Sequence, residues 1–173
     1  PALVNVGEPD AGWKTASFAQ SSVLAAARAL LDAGDLTLAK RFFLQVGETL
    51  SDKEMSDLGD LALRLDQPHV AVLVGKAAAE RGLILPRAYF PVPDFVPDNL
   101  PVSRALALAI SRRESEFDPN ARSHADARGL MQLLPATAQM VAKQQGESFT
   151  ASRLTTDPAF NVRMGSAFLA KLI

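Results

Sequence analysis

Residues 109–138 read Ala-Ile-Ser-Arg-Arg-Glu-Ser-Glu-Phe-Asp-Pro-Asn-Ala-Arg-Ser-His-Ala-Asp-Ala-Arg-Gly-Leu-Met-Gln-Leu-Leu-Pro-Ala-Thr-Ala. The stretch opens inside a helical pattern. Val102, Ala105, Leu106, Ala109 and Ile110 recur at helical spacing and predict an apolar stripe running on to Arg113. Phe117-Asp118-Pro119-Asn120 ends that helix, because proline and the residue before it resist the helical conformation. A polar loop follows from Ala121 to Arg128, then a short helix near Gly129–Leu133 is expected. Pro135 is tolerated in the first turn of the next helix, which Gly146 should end.

Outward from this stretch the chain stays helical. Towards the C-terminus, Thr156-Asp157-Pro158 starts a helix through Asn161, Met164, Phe168 and Leu172. The pattern is still running at Ile173, with no capping residue in sight. Towards the N-terminus lies a Pro-rich segment, residues 85–100. Its part from Leu85 to Pro97 holds four of the chain's 11 prolines. That density predicts an extended linker whose Tyr89, Phe90 and Phe95 pack on a domain surface.

Before the linker, residues 1–84 read as paired helices. Val23, Ala26, Ala27, Leu30 and Leu31 form one face. Ala33-Gly34-Asp35 then supplies a C-cap glycine and a polar N-cap for a helix carrying Leu38 and Phe42. Ser51 and Glu54 have the capping-box spacing and start a third helix, with Met55, Leu58, Leu61, Ala62 and Leu65 on its face. Asp66-Gln67-Pro68 breaks it, and a fourth helix ends at Arg81-Gly82. Two helix–turn–helix units predict an α-solenoid segment, in which stacked neighbours bury faces that one pair cannot bury alone. The predicted fold class is therefore all-α. The solenoid segment, the linker over 85–100 and a second helical domain over 101–173 follow one another.

The 173 residues carry 18 Lys+Arg against 19 Asp+Glu, a formal net charge of −1. Such a balance exerts no global pull on nucleic acid or anionic membrane, and Arg112-Arg113 is too small a basic run to alter that. There are no cysteines, which excludes disulfides, Cys-ligated metal and thiol nucleophiles. The longest apolar runs are broken by Arg28, Asp32 or Ser111 and are too short to cross a bilayer. His69 and His124 lie outside any metal-ligand spacing and read as surface residues. Neither a metal nor a cofactor is called for. Ser123, His124 and Asp126 are sequence neighbours, which does not make a hydrogen-bonded relay, and no Gly-x-Ser-x-Gly elbow exists.

The stretch over 109–138 resembles the catalytic-domain signature of the soluble lytic murein transglycosylases, in the lysozyme-like superfamily. The resemblance rests on Glu114-Ser115, then Phe117, Pro119, Ala121 and Ser123 in spacing, then Gly129-Leu130-Met131-Gln132 and Pro135-Ala136-Thr137-Ala138. Thr156-Asp157-Pro158, Asn161 and Gly165 match a third block. Several separated blocks in register are specific where a lone Glu-Ser pair would not be. The resemblance implies that residues 101–173 are the N-terminal part of a lysozyme-like α domain. It also implies a murein substrate, Glu114 as catalytic residue, and Ser123, Met131 and Gln132 as substrate-binding residues. Peptidoglycan glycan strands are the implied partner, and a cell-wall substrate implies a periplasmic location, with a signal peptide expected upstream of Pro1.

Cleaving a glycosidic bond needs a proton donor for the leaving oxygen and stabilisation of an oxocarbenium-like state. Leu106, Ala109 and Ile110 before Glu114, and Phe117 after it, predict a half-apolar setting that favours a protonated carboxyl. Glu116 points to nearly the opposite helix face, so a two-carboxylate scheme is not indicated. The resemblance implies instead a single-Glu mechanism assisted by the substrate's N-acetyl group, giving a 1,6-anhydro product. Two departures from the family pattern stand out. Asp126 occupies a position where the family has glycine, and the family's later Ala-Tyr-Asn-Ala-Gly motif does not occur before Ile173. Two alternatives stay open from sequence: a non-catalytic helical-repeat or peptidoglycan-binding fragment, and a lysozyme-type hydrolase.

Overall fold

The structure is a computed structural model and describes residue 9 and residues 11–173. Among these residues the fold is helical, with two isolated antiparallel bridges and no strand. The chain divides into two compact units, Pro1–Pro91 and Val92–Ile173.

In the first unit, two 3-10 turns, Gly12–Lys14 and Ser17–Gln20, precede α1 (Ser22–Asp32), α2 (Leu36–Gly47), α3 (Asp52–Arg64), α4 (Pro68–Glu80) and α5 (Pro86–Tyr89). The predicted punctuation is what stops and starts the helices. Gly34 takes φ 78°, and the Asp35 carboxylate accepts the Leu38 N–H at 2.9 Å. Ser51 and Glu54 form the complete capping box. Leu24, Phe43, Met55, Leu58, Leu61, Val70 and Val74 are buried together, so the two pairs close one core.

Two expectations fail here. His69 is buried, not a surface residue, with its ring nitrogen 3.4 Å from Lys40 Nζ. Residues 86–89 are not extended: they form the single helical turn α5. Pro86 occupies the first position of that turn, where its missing N–H costs nothing. Two glycines let the turn sink onto α3 and α4. A Cβ on Gly59 would lie 2.8 Å from Ala88, and one on Gly75 would lie 2.9 Å from the Tyr89 backbone. Arg87 then reaches the buried carboxylate of Asp60, its Nε 3.0 Å from Oδ1. Tyr89 and Phe95 are half-buried as expected, but Phe90 stays 58% exposed.

The second unit contains α6 (Arg104–Ser115), α7 (Pro135–Gln145), α8 (Arg153–Thr156) and α9 (Pro158–Leu169). Residues before α6 belong to this unit: Arg104 donates to the carbonyls of Val96 and Pro93, and Val96 is buried. Ser103 caps α6, Pro135 opens α7, Gly146 ends it at φ 69°, and Asp157 caps α9 through Phe160 N–H. Leu133, Val141, Leu154, Phe160 and Met164 are buried in a common cluster.

The burial of α6 differs from the predicted stripe. Ala105 and Ala109 are exposed, and the buried positions are Ala107, Ser111 and Ser115. These three small side chains, four residues apart, form one face that permits close approach, so packing selected size over hydrophobicity. The expected helix near Gly129–Leu133 is also absent. Gly129 at φ 70° and Gln132 at φ 46° are both left-handed, which no right-handed helix accommodates. Instead Arg128 pairs with Arg122 on one side and Leu133 on the other.

Candidate active site

The site is built where α6 stops. Glu114 lies on its last turn and is exposed. Of the apolar residues expected near it, Leu106 and Ile110 are half-buried, Phe117 is buried and Ala109 is exposed. Immediately beyond, Glu116 (φ 53°) and Phe117 (φ 61°) are both left-handed. For a bulky residue such as Phe117 this conformation is a genuine outlier, costing on the order of 1–3 kcal/mol. The ring is 1% exposed, so burial holds the strained turn in place. The turn reverses the chain directly after Glu114 and leaves that carboxylate at the surface.

Ser115 explains the second residue of the Glu-Ser pair. Its hydroxyl lies 3.0 Å from the Ser111 carbonyl and 2.9 Å from the Leu130 carbonyl. It thus ties the end of α6 to the turn that carries Met131 and Gln132.

That turn is held from the other side by Asn161 of α9, which is fully buried. Asn161 Oδ1 accepts the Met131 N–H at 2.8 Å, and Nδ2 donates to the carbonyls of Arg128 and Leu154, each at 2.9 Å. Every strong hydrogen-bonding direction of the amide nitrogen is spent on this framework. Gly129 sits against the same groups, and a Cβ there would collide with the Leu154 carbonyl and the Asn161 amide. Sequence reasoning noted Asn161 only as part of a matching block. An Asn on the inner face of a helix is itself the signal, since buried polar groups must be partnered.

Gln132 has its amide nitrogen 3.1 Å from the Ala121 carbonyl and 2.9 Å from the Gly129 carbonyl. Both partners are acceptors, so the nitrogen must face them, and Oε1 is the atom left to meet a ligand. Gln132 therefore offers an acceptor rather than donors and acceptor together. Ser123 has the reverse polarity. Its Oγ accepts the Ala127 N–H at 3.0 Å, which leaves the hydroxyl proton to be donated. Met131 is only 7% exposed: Gly165 lies beneath it, where a Cβ would come within 2.5 Å of its sulfur. Its part in the site is packing, with little surface to offer a ligand.

Residues 122–128 form a hairpin with a three-residue tip. Ser123 N–H donates to the Ala127 carbonyl at 2.9 Å, and Asp126 N–H to the Ser123 carbonyl at 3.0 Å. Asp126 takes φ 64°, the left-handed residue such a hairpin requires. Its carboxylate is engaged by Arg122 Nε at 2.7 Å and by Arg128 Nε and Nη2 at 2.9 and 3.0 Å. The hydrogen bonds from Arg128 hold its pKa below the ordinary carboxylate range, with Arg122 adding to them against a desolvation that works the other way. Both carboxylate oxygens are committed to arginine, as a Ser123–His124–Asp126 relay would not allow.

Comparison with known proteins bears on this stretch directly. Residues 98–173 match the family model described as Transglycosylase SLT domain. That stretch is similar to the SLT family of transglycosylase domains. A Haemophilus influenzae protein provisionally named a soluble lytic murein transglycosylase is 39% identical over 102 residues, 59% of this chain and 17% of that protein. The membrane-bound lytic murein transglycosylase C of Salmonella typhimurium is 49% identical over 73 residues, 41% of this chain and 20% of that one. A 70 kDa soluble lytic transglycosylase solved in complex with bulgecin A aligns with TM-score 0.77 at 22% identity. That alignment covers 98% of this chain and 28% of the other. At that identity the likeness shows the fold alone, an all-α one. The matched stretches span about a fifth of the curated relatives' length. Among the described residues no helix is long and apolar enough to cross a membrane.

Proposed function

We propose that the protein is a lytic murein transglycosylase that cleaves the β-1,4 bond between N-acetylmuramic acid and N-acetylglucosamine in peptidoglycan glycan strands. The observation that carries the reading is the SLT match over residues 98–173 together with Glu114 exposed at the end of α6. Glu114 is the single general acid and base. As acid it gives its proton to the glycosidic oxygen as the bond to C1 breaks. A glycan laid over the exposed carboxyl displaces water from it. The acetamido oxygen of the muramic residue stabilises the developing charge at C1, in the substrate-assisted manner. The C6 hydroxyl of the same sugar then attacks C1 and returns its proton to the Glu114 carboxylate. The product is a 1,6-anhydro sugar, and no water is consumed.

Ser123 donates and Gln132 Oε1 accepts, a polarity that suits an acetamido group, which carries one carbonyl and one N–H. Met131 supports the turn from below. The substrate places the site on the cell-wall side of the inner membrane, in the periplasm.

Incubating full-length protein with purified sacculi tests this. Anhydromuropeptides should be released, and Glu114→Gln should abolish their release while leaving the helical circular dichroism unchanged. Retained release by that variant refutes the role of Glu114. Reducing muramic ends in place of anhydro ends refute the transglycosylase chemistry in favour of hydrolysis.

A further inference from the structure

Asp126 stands at a left-handed position that glycine fills at no cost, so its carboxylate must be accounted for separately from its backbone. Arg122 and Arg128 form the bridge pair directly across the hairpin. Two like charges facing each other in this way repel. Asp126 lies between them and binds both, with a two-pronged contact to Arg128. Arg128 in turn is anchored away from the tip: its Nη1 lies 3.4 Å from the Ala151 carbonyl, and its own carbonyl accepts Asn161 Nδ2. The hairpin tip, which also carries three bonds between Ser123 and Asp126–Ala127, is thereby fastened to the buried framework through this carboxylate.

We infer that Asp126 is a positioning residue: the Arg122–Asp126–Arg128 ion triad fixes the hairpin that aims the Ser123 hydroxyl at the substrate. This rests on the reading of Ser123 as a substrate-binding residue. Asp126 itself touches no reacting atom. The group of three is part-exposed, with side-chain exposures of 62, 42 and 20% for Arg122, Asp126 and Arg128, so salt should loosen it.

Two variants separate the carboxylate from the backbone. Asp126→Gly keeps the left-handed turn and removes the side chain. Asp126→Asn keeps shape and turn but removes the charge. Amide hydrogen exchange in the full-length protein is read first, because it needs no activity. Exchange at Ala127 and Ser123 should quicken about tenfold in both variants. In the wild type it should quicken as salt rises from about 0.05 to 1 M, where the Debye length falls to about 3 Å. On sacculi, both variants should lose about five- to tenfold in kcat with KM changed less than twofold. Arg122→Gln in the Asp126→Asn background should recover part of that loss by removing the uncompensated repulsion. Unchanged exchange at Ala127 overturns the triad as a clamp. Quickened exchange with wild-type kcat in active enzyme overturns its role in aiming Ser123. A wild type that releases no anhydro product fails the proposed function instead, and leaves the exchange result to decide the clamp.

Discussion

Replacing Asn161 by alanine should unfasten the site without touching Glu114. Asn161 is fully buried and makes three hydrogen bonds. One partner survives its loss, because the Arg128 carbonyl also accepts the Leu133 N–H at 3.2 Å. The Met131 N–H and the Leu154 carbonyl lose these bonds inside the protein. A buried group left unpaired costs about 1–3 kcal/mol, so the pair predicts about 3 kcal/mol in all. For a unit the size of Val92–Ile173, that corresponds to about 15 °C in thermal midpoint. The probe must be chosen with care. Trp13 and Tyr89 are the chain's only Trp and Tyr, and both lie in the first unit. Far-UV circular dichroism and amide exchange at Met131 are therefore the appropriate assays. Asn161→Asp is the sharper companion. It sets a carboxylate against two carbonyls at pH 7 and should be worse than alanine, with the gap closing as acid protonates the new group. A midpoint within about 3 °C of wild type for Asn161→Ala, or full tolerance of aspartate, would refute the assignment of the amide's two ends.

Gly129→Ala should lose about 3 kcal/mol or more in thermal or urea unfolding, since Gly129 combines φ 70° with no room beside the Leu154 carbonyl. Wild-type stability in that variant would show that the turn can shift freely. In the first unit, hydrogen bonds from Ser17 and then Ser51 lower the pKa of Glu54 from 4.5 to about 2. The fold thus favours the ionised form, and this contribution is complete above about pH 4.5 and fades as pH falls towards about 2. Thermal midpoints measured across that window should slope downwards with acid, and the slope should flatten in Glu54→Gln.

Helix boundaries were legible wherever a residue has a conformational rule of its own. Gly34, Gly146, Pro135, Asp157 and the Ser51–Glu54 box act within four residues of themselves, so the linear order suffices to read them. The candidate site was proposed from sequence in the same way, because Glu114-Ser115 and Gly129-Leu130-Met131-Gln132 form a pattern in register. What the order of residues did not carry was burial. The stripe through Ala105 and Ala109 looked apolar enough to face inwards, yet Ala107, Ser111 and Ser115 do so, since close packing selects small side chains. The turn at Pro86 was missed for a related reason: Gly59 and Gly75, distant in sequence, make the space that draws α5 in. His69 is likewise buried, beside Lys40 of α2. Even the polarity of Gln132 and Ser123 was undecided until their partners were in place, because an amide or hydroxyl offers whichever groups its neighbours have not already used. Sequence alone thus determined the longer helices, their caps and the candidate acid. Tertiary structure decided which faces are buried, what fastens the turn over α9, and which polar atoms of Gln132 and Ser123 are left uncommitted, because each of those depends on contacts between residues apart along the chain.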